Sequence, residues 1–400
     1  MIHLRGVVAV LLACLATAPA ALAAPVPPPA PKPTSGARSP EAPDPHPPLG
    51  GRAPDGSPVG GAALLGRGLV LPKGAPALPA HLTARSWVVA DLDTGAIVAA
   101  RDPHGRYQPA SIQKLLTTAT LLPLLPGGRS VIVTRRAADT EGSHAGLAAG
   151  GRYTVDDLFH GLLLVSGNDA AEALADAAGG RAHTVALMNA EARRLGAYDT
   201  YVQTPSGLDG WQQLTSAYDM ALVLRAVLAQ PRFAAYDRIP LTHLPAQHAH
   251  HVGAIELDNQ NEQFLTTVKG ALVAKTGYTD AAQHTFVGAI ERRGHRYGVV
   301  LLRAQRWPLD QWQQATRLVD WAARLPAGTP AVGRLVQPAV ARPRSGTSAS
   351  PVRAAVTPST SPSPSNGSKH PAATGAGVVV LALLLGGAWC LNTRLRGRRR

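Results

Sequence analysis

The apolar positions of this chain follow two rhythms in turn. Ser86-Trp87-Val88-Val89-Ala90-Asp91 and Ala96-Ile97-Val98 are β-rich runs on either side of Asp93-Thr94-Gly95, which predicts a hairpin over residues 86–98. From Ser111 the rhythm changes. Ser111 to Leu122 is mostly apolar and small, which predicts a helix. Thr154-Val155-Asp156-Asp157 has the form of a capping box and opens a second helix over 155–165. Further helices are predicted over 169–178, 182–195 and 217–228, the last started by Ser216 with Asp219 three residues on. Strands return late, over 272–276, 284–291 and 296–303, and an amphipathic helix over 309–325 closes the pattern. Strands, then helices, then strands and a last helix describe an α+β fold. It has an antiparallel β-sheet flanked by helices and an all-helical subdomain set into it.

Outside that region the pattern is of another kind. Residues 1–24 read as a secretory signal, with Arg5 ahead of an apolar run and Ala21-Leu22-Ala23 as a cleavage site. Residues 25–70 are rich in Pro, Ala and Gly and are predicted to be disordered. The folded domain is assigned to 71–325. A tether rich in Pro, Ser and Thr follows over 326–371. Residues 372–391 carry no charge and suit a membrane-spanning helix of roughly 30 Å. Arg394, Arg396, Arg398, Arg399 and Arg400 then make 392–400 a basic tail, expected in the cytoplasm. On this reading the chain is anchored in the cell membrane by a single pass, with its domain on the outer, cell-wall side. The fragment from Pro58 to Leu325 is expected to suffice for activity.

Charge and cysteine content narrow the function. The net charge is +14, yet between Pro76 and Leu325 23 Lys and Arg face 22 Asp and Glu, so the excess lies in the tails. Nucleic acid is therefore not expected as a partner. The two cysteines, Cys14 and Cys390, fall in the leader and the apolar C-terminal stretch, so the exported part has no disulfide to rely on. Only six of the 39 basic residues are lysines, which draws attention to each one.

Two of those lysines sit in short motifs. In Ser111-Ile112-Gln113-Lys114 the serine and lysine are three apart, on one face of a helix. A serine needs a base within hydrogen-bond reach, and a lysine serves only if burial or a nearby positive charge lowers its pKa. Ser166-Gly167-Asn168 sits at a turn between helices, where a hydroxyl and an amide can face one cleft. Lys275-Thr276-Gly277 places a cation and a hydroxyl on a strand, suited to a carboxylate, with glycine allowing close approach. Each is weak alone, since S-x-x-K recurs by chance about once in 400 positions.

Together, in this order and at intervals of about 55 and about 110 residues, the three motifs mark the penicillin-recognising serine acyl transferases. The chain resembles the low-molecular-mass penicillin-binding proteins, specifically the serine D-Ala-D-Ala carboxypeptidases, over roughly Leu71 to Arg324. Ser86 to Gly95, Pro109 to Lys114, Ser166 to Ala171, Met188-Asn189, Ser206-Gly207-Leu208, Ser216 to Asp219, Asn259-Gln260-Asn261 and Lys275 to Thr279 carry the likeness. The resemblance implies the β-lactamase/DD-peptidase-like fold. It implies stem peptides of peptidoglycan ending in D-Ala-D-Ala as substrate and β-lactams as acylating inhibitors. It assigns catalytic roles to Ser111, Lys114 and Ser166, and substrate binding to Asn168, Lys275, Thr276, Gly277 and Tyr278, with the backbone N–H groups of Ser111 and Tyr278 as oxyanion hole. No cofactor and no metal are implied. Three departures stand out: Ala274 precedes the lysine where relatives often have glycine, the tether replaces a second β-rich domain, and a spanning helix replaces an amphipathic anchor.

Several residues are given plainer readings. His243, His248, His250 and His251 are taken as a His-rich loop, because no carboxylate or Cys accompanies them at zinc-site spacing. Trp307, Trp312 and Trp321 are expected to pack, and Asp219 to serve Ser216 as a cap partner. Four other functions compete. A class A β-lactamase is disfavoured because no Glu-x-x-Leu-Asn loop occurs; the nearest string, Glu262 to Thr266, lacks the Asn. A D,D-endopeptidase would use the same groups. A transpeptidase would be expected to carry further domains, and a decayed scaffold would have lost a motif.

Overall fold

The computed structural model describes residues 50–339. The predicted leader, apolar C-terminal stretch and basic tail lie outside them, as do residues 25–49 and 340–371. No helix among the described residues is long and apolar enough to cross a membrane.

In chain order the elements are β1 (Leu69–Val70), β2 (Ser86–Asp91), β3 (Ala96–Arg101), α1 (Lys114–Leu121), β4 (Ser130–Ile132), α2 (Arg135–Ala138), β5 (Arg152–Thr154), α3 (Val155–Leu163), α4 (Asn168–Ala177), α5 (Arg181–Leu195), α6 (Ala217–Leu228) and α7 (Pro231–Asp237). They continue as β6 (Leu241–Leu244), β7 (Ile255–Asp258), α8 (Glu262–Thr267), β8 (Ala271–Thr279), β9 (Gln283–Arg292), β10 (His295–Ala304), α9 (Gln311–Ala322) and β11 (Gly333–Arg334). The main sheet runs β1-β3-β2-β10-β9-β8, with β11 added on β3, and every pairing is antiparallel. The hairpin and the late strands therefore join one sheet, and the sequence between them holds helices α1 to α8 together with two small antiparallel pairs, β4–β5 and β6–β7, so the inserted subdomain is mainly but not wholly helical. The fold is α+β, as the pattern predicts.

Alternation along the central strands divides two apolar cores. Val88 and Ala90 of β2 with Val300 and Leu302 of β10 face the core shared with the helices. Trp87 and Val89 with Val299 and Leu301 face the other side, against Ala315, Leu318 and Val319 of α9. A period of two in a sheet covered on both faces gives this division, and so β2 is buried throughout.

The helix starts follow their caps. Thr154 accepts the Asp157 N–H while Asp157 accepts the Thr154 N–H, so the predicted box is formed. Ser216 accepts the Asp219 N–H at 3.1 Å. Asp219 is thus the cap partner expected, and its carboxylate also takes the Asp199 N–H at 2.8 Å and the Thr200 hydroxyl at 2.7 Å. Asp219 therefore braces a buried loop. The predicted helix from Ser111 is divided, with a 3-10 turn over Ala110–Gln113 leading into α1.

The expected disorder over 25–70 does not extend to residues 50–70. Val59 and Leu64 are buried, β1 pairs with β3, and the Gly51 N–H reaches both oxygens of Asp199 at 3.2 and 3.0 Å. The tether likewise does not begin at 326. Leu335 is buried, β11 pairs with β3, and the Ala339 N–H bonds the Arg194 carbonyl. Composition hides both segments, because a few inserted side chains and backbone bonds hold otherwise poor core formers. The fragment 58–325 would thus lose the Gly51 contact and all of β11, and is not the intact fold.

Asp199 is the anchor for the N-terminal strap. It also meets His104 at 2.9 Å and Arg106 at 3.0 Å, with its side chain 2% exposed. Asp199→Ala would leave these donors without their acceptor and is expected to cost roughly 3–5 kcal/mol, read by denaturant unfolding of the full chain. A loss below about 1 kcal/mol would show that the strap is held by other contacts.

Candidate active site

The cleft forms where the 3-10 turn, the α3–α4 turn and β8 converge. Ala110, one residue before the candidate nucleophile, takes φ +50° and is fully buried. This left-handed conformation turns the chain sharply into Ser111, which is half-buried. One turn on, the Lys114 Nζ lies 2.9 Å from the Ser111 Oγ. It also bonds the Asn168 Oδ1 at 2.7 Å and the Ser206 carbonyl at 2.8 Å. The spacing of three thus delivers the serine–lysine contact, and the second motif supplies another partner.

Lys114 is fully buried, and burial holds its amine well below the usual lysine range. The positive charge of Lys275 adds to that depression, while Asp169 opposes it. Lys275 is also fully buried on β8, where its Nζ bonds the Thr276 carbonyl at 3.0 Å. Burial lowers Lys275 to about 8, against the pull of Asp237. An amine held down by burial and by a second buried lysine is what acid–base chemistry at a serine needs.

The α3–α4 turn is strained and well anchored. Ser166 takes φ +60°, and its Oγ is buried without a hydrogen-bond partner. The neighbouring Asp169 carboxylate gathers the N–H groups of Ala145, Gly146 and Leu147 at 2.8, 2.9 and 3.0 Å. Asn168 spans the gap, accepting from Lys114 and donating to the Glu141 carbonyl at 2.7 Å. All three motifs therefore meet, with Lys114 as their hub.

Two glycines mark close approaches. A Cβ on Gly207 would fall 2.0 Å from the Ala110 carbonyl oxygen, at φ +87°. A Cβ on Gly277 would fall 2.7 Å from the Ser111 nitrogen and 2.6 Å from the Thr285 Oγ1. Hence β8 lies directly against the nucleophile turn. Thr276 points its hydroxyl to Asn261 at 3.4 Å. The Tyr278 side chain is 54% exposed and bonds Asp280, so any part it takes in the cleft falls to its backbone.

Some contributors carry no motif of their own. The Ser206 carbonyl, the Asp169 anchor and the buried Asp237 are legible only in three dimensions, though Ser206-Gly207 stands within a stretch of family likeness. The plainer residues divide. Trp321 is buried and Trp312 half-buried in the second core, but Trp307 is 83% exposed and does not pack as expected. His243 meets Glu256 at 3.4 Å on the surface. Among the described residues, two groups bring carboxylates and a His close enough for a cation, Asp91/Asp93/His295 and His104/Asp199/Asp219. In both, the carboxylates already serve internal bonds, to Arg296 in one and to Gly51 and Arg106 in the other.

The family model for D-alanyl-D-alanine carboxypeptidases matches residues 73–306, which hold all three motifs. The chain belongs to this family. It is 39% identical over 246 residues to the D-alanyl-D-alanine carboxypeptidase DacB2 of Mycobacterium tuberculosis, covering 60% of this chain and 83% of that one. It is 30% identical to DacD of Salmonella typhimurium over 61% of this chain, and there spans 63% of the relative's length. A crystal structure of the Mycobacterium tuberculosis carboxypeptidase superposes with a TM-score of 0.63 at 38% identity, covering 66% of this chain and all of that one. The Streptomyces K15 DD-transpeptidase, at 22% identity and a TM-score of 0.58 over 62% of this chain and all of that one, shares the fold.

The glycine of the third motif offers a direct test of the carboxypeptidase cleft. In Gly277→Ala the new methyl must displace either β8 or the Ser111 turn. Acylation by penicillin is expected to slow by about 100-fold, the scale of a 1 Å misplacement. A stopped-flow rate matching the parent would show that the cleft tolerates the methyl.

Proposed function

We propose that this carboxypeptidase removes the terminal D-Ala from peptidoglycan stem peptides through an acyl-enzyme on Ser111. The observation that carries the reading is Lys114: fully buried, 2.9 Å from the Ser111 Oγ, and beside a second buried lysine.

In the first half-reaction the Ser111 Oγ attacks the carbonyl carbon of the penultimate D-Ala and passes its proton to the Lys114 Nζ. The oxyanion is received by the backbone N–H groups of Ser111 and Tyr278. Breaking the C–N bond releases D-Ala as its amine collects the proton given up by Lys114, relayed through the Ser166 hydroxyl, whose Oγ has no other partner, and Lys114 is left neutral again. In the second half-reaction water attacks the ester with Lys114 as base, and the Ser111 hydroxyl is restored. Asn168 holds Lys114 and keeps an amide hydrogen for the acyl side of the substrate. Lys275 and Thr276 hold the terminal carboxylate, and Gly277 gives it room. A β-lactam carries an analogous carboxylate and amide, so it enters the same cleft and acylates Ser111.

The placement of the enzyme is part of this proposal and rests on sequence alone. The charge-free stretch 372–391 followed by five arginines supports a single membrane pass with the carboxypeptidase on the cell-wall side.

The full chain is expected to release D-Ala from a diacetyl-L-Lys-D-Ala-D-Ala peptide, and Ser111→Ala to release none and trap no penicillin. The rate should rise with pH as Lys114 loses its proton. It should fall as pH rises through about 8, where Lys275 loses the charge that binds the carboxylate. Covalent penicillin on Ser111→Ala would remove Ser111 as nucleophile. A rate still climbing well above pH 8 would remove Lys275 as the charged anchor.

A further inference from the structure

The buried carboxylate behind β8 has no part in the mechanism above. Asp237 is the last residue of α7, a place where the helix disfavours negative charge. It is 1% exposed. One oxygen accepts the Ala274 N–H at 3.1 Å, one residue before Lys275, and the other is buried without a partner. Its backbone carbonyl is tied by the Asn259 side chain at 2.7 Å, which fixes the end of α7 against β8. A buried carboxylate with an idle oxygen is costly unless a cation answers it.

The charged groups around it identify that cation. On β8 the only one acting on Asp237 is Lys275, and on its own chain Arg238 follows it. On α3, Asp156 and His160 are engaged with Tyr236. On α6, Arg225 is turned to the Val336 carbonyl. Among the described residues, Asp237 is the carboxylate whose charge bears on Lys275.

We propose that Asp237 is a positioning residue for the substrate carboxylate, acting as the buried counter-ion that keeps the Lys275 ammonium charged and in place before substrate arrives. The proposal rests on the reading of Lys275 as the carboxylate anchor. Burial raises Asp237 to about 7, opposed by the Ala274 N–H and by Lys275, so the two groups share charge near neutrality. Without the Asp237 charge, Lys275 falls further below its ordinary value and loses its proton at a lower pH. The arriving substrate carboxylate then finds fewer molecules able to bind it.

The test is Asp237→Asn in the full chain, with kcat and KM followed from acid to alkaline pH on the D-Ala-D-Ala peptide. The alkaline limb of kcat/KM is expected to move down by ~1 pH unit, carried by KM, with kcat below that limb within about twofold of the parent. Asp237→Glu, which restores the charge, should return the limb toward its place. A folded Asp237→Asn protein with an unmoved limb overturns the proposal. Lys275→Ala separates the two ideas: if it leaves KM unchanged, the anchor reading fails, and if it raises KM while Asp237→Asn moves nothing, the counter-ion idea alone fails. Should Asp237→Asn not fold, the Ser111→Ala chain with 13C-labelled aspartate carboxyls gives the answer, its Asp237 signal assigned by loss in Asp237→Glu. Uncleaved peptide adds a second negative charge at Lys275, so the Asp237 midpoint must rise; a midpoint that stays in place overturns the proposal.

Discussion

Two lysines buried in one cleft set the terms for everything else here. Removing an ammonium from water is costly, and a like charge nearby adds to the cost. Burial and Lys275 hold the Lys114 amine well below the usual lysine range, while Lys275 is lowered only to about 8. The Lys114 Nζ is held by neutral groups: it donates to the Asn168 amide oxygen and the Ser206 carbonyl and lies 2.9 Å from the Ser111 hydroxyl. Lys275 has the buried Asp237 carboxylate supporting its charge from its bond to the Ala274 N–H, one residue away. The same residue type thus serves as base and as cation, and only the surroundings differ.

The architecture exists to keep that pair dry and aligned. Lys275 rides on β8, at the edge of a seven-stranded sheet covered on both faces. Lys114 starts α1, all eight residues of which are buried. The positive φ angles at Ala110 and Ser166 bend the chain at the two places where a hydroxyl must face the cleft. Such conformations persist only when the surroundings enforce them. The Gly277 contact and the three amides bound by Asp169 are that enforcement.

Much of this was legible in the sequence, for reasons that differ by element. Strands β2, β3 and β8 to β10 and helices α3 to α6 follow alternation, periodicity and the caps at Thr154 and Ser216, all local signals. The order and spacing of the three motifs disclosed the chemistry. What escaped was non-local. The strap from Gly50 and the return strand β11 look like linker because a few buried side chains and backbone bonds to Asp199 and β3 hold them. Ala110 bends the predicted helix start because β8, more than 160 residues on, presses against it. Asp237 has no motif, since its importance comes from lying behind Lys275. Trp307 carried a packing expectation, yet it lies on a solvent-facing connection.

The central claim is that Lys114 is an unprotonated amine at neutral pH in the resting enzyme. Its titration can be followed directly by 13C NMR of lysine labelled at Cε, with the signal assigned by its loss in Lys114→Arg. The account predicts a Lys114 signal already in the neutral-amine position at pH 7. A signal that stays in the ammonium position until near pH 10, where ordinary lysines titrate, would contradict it.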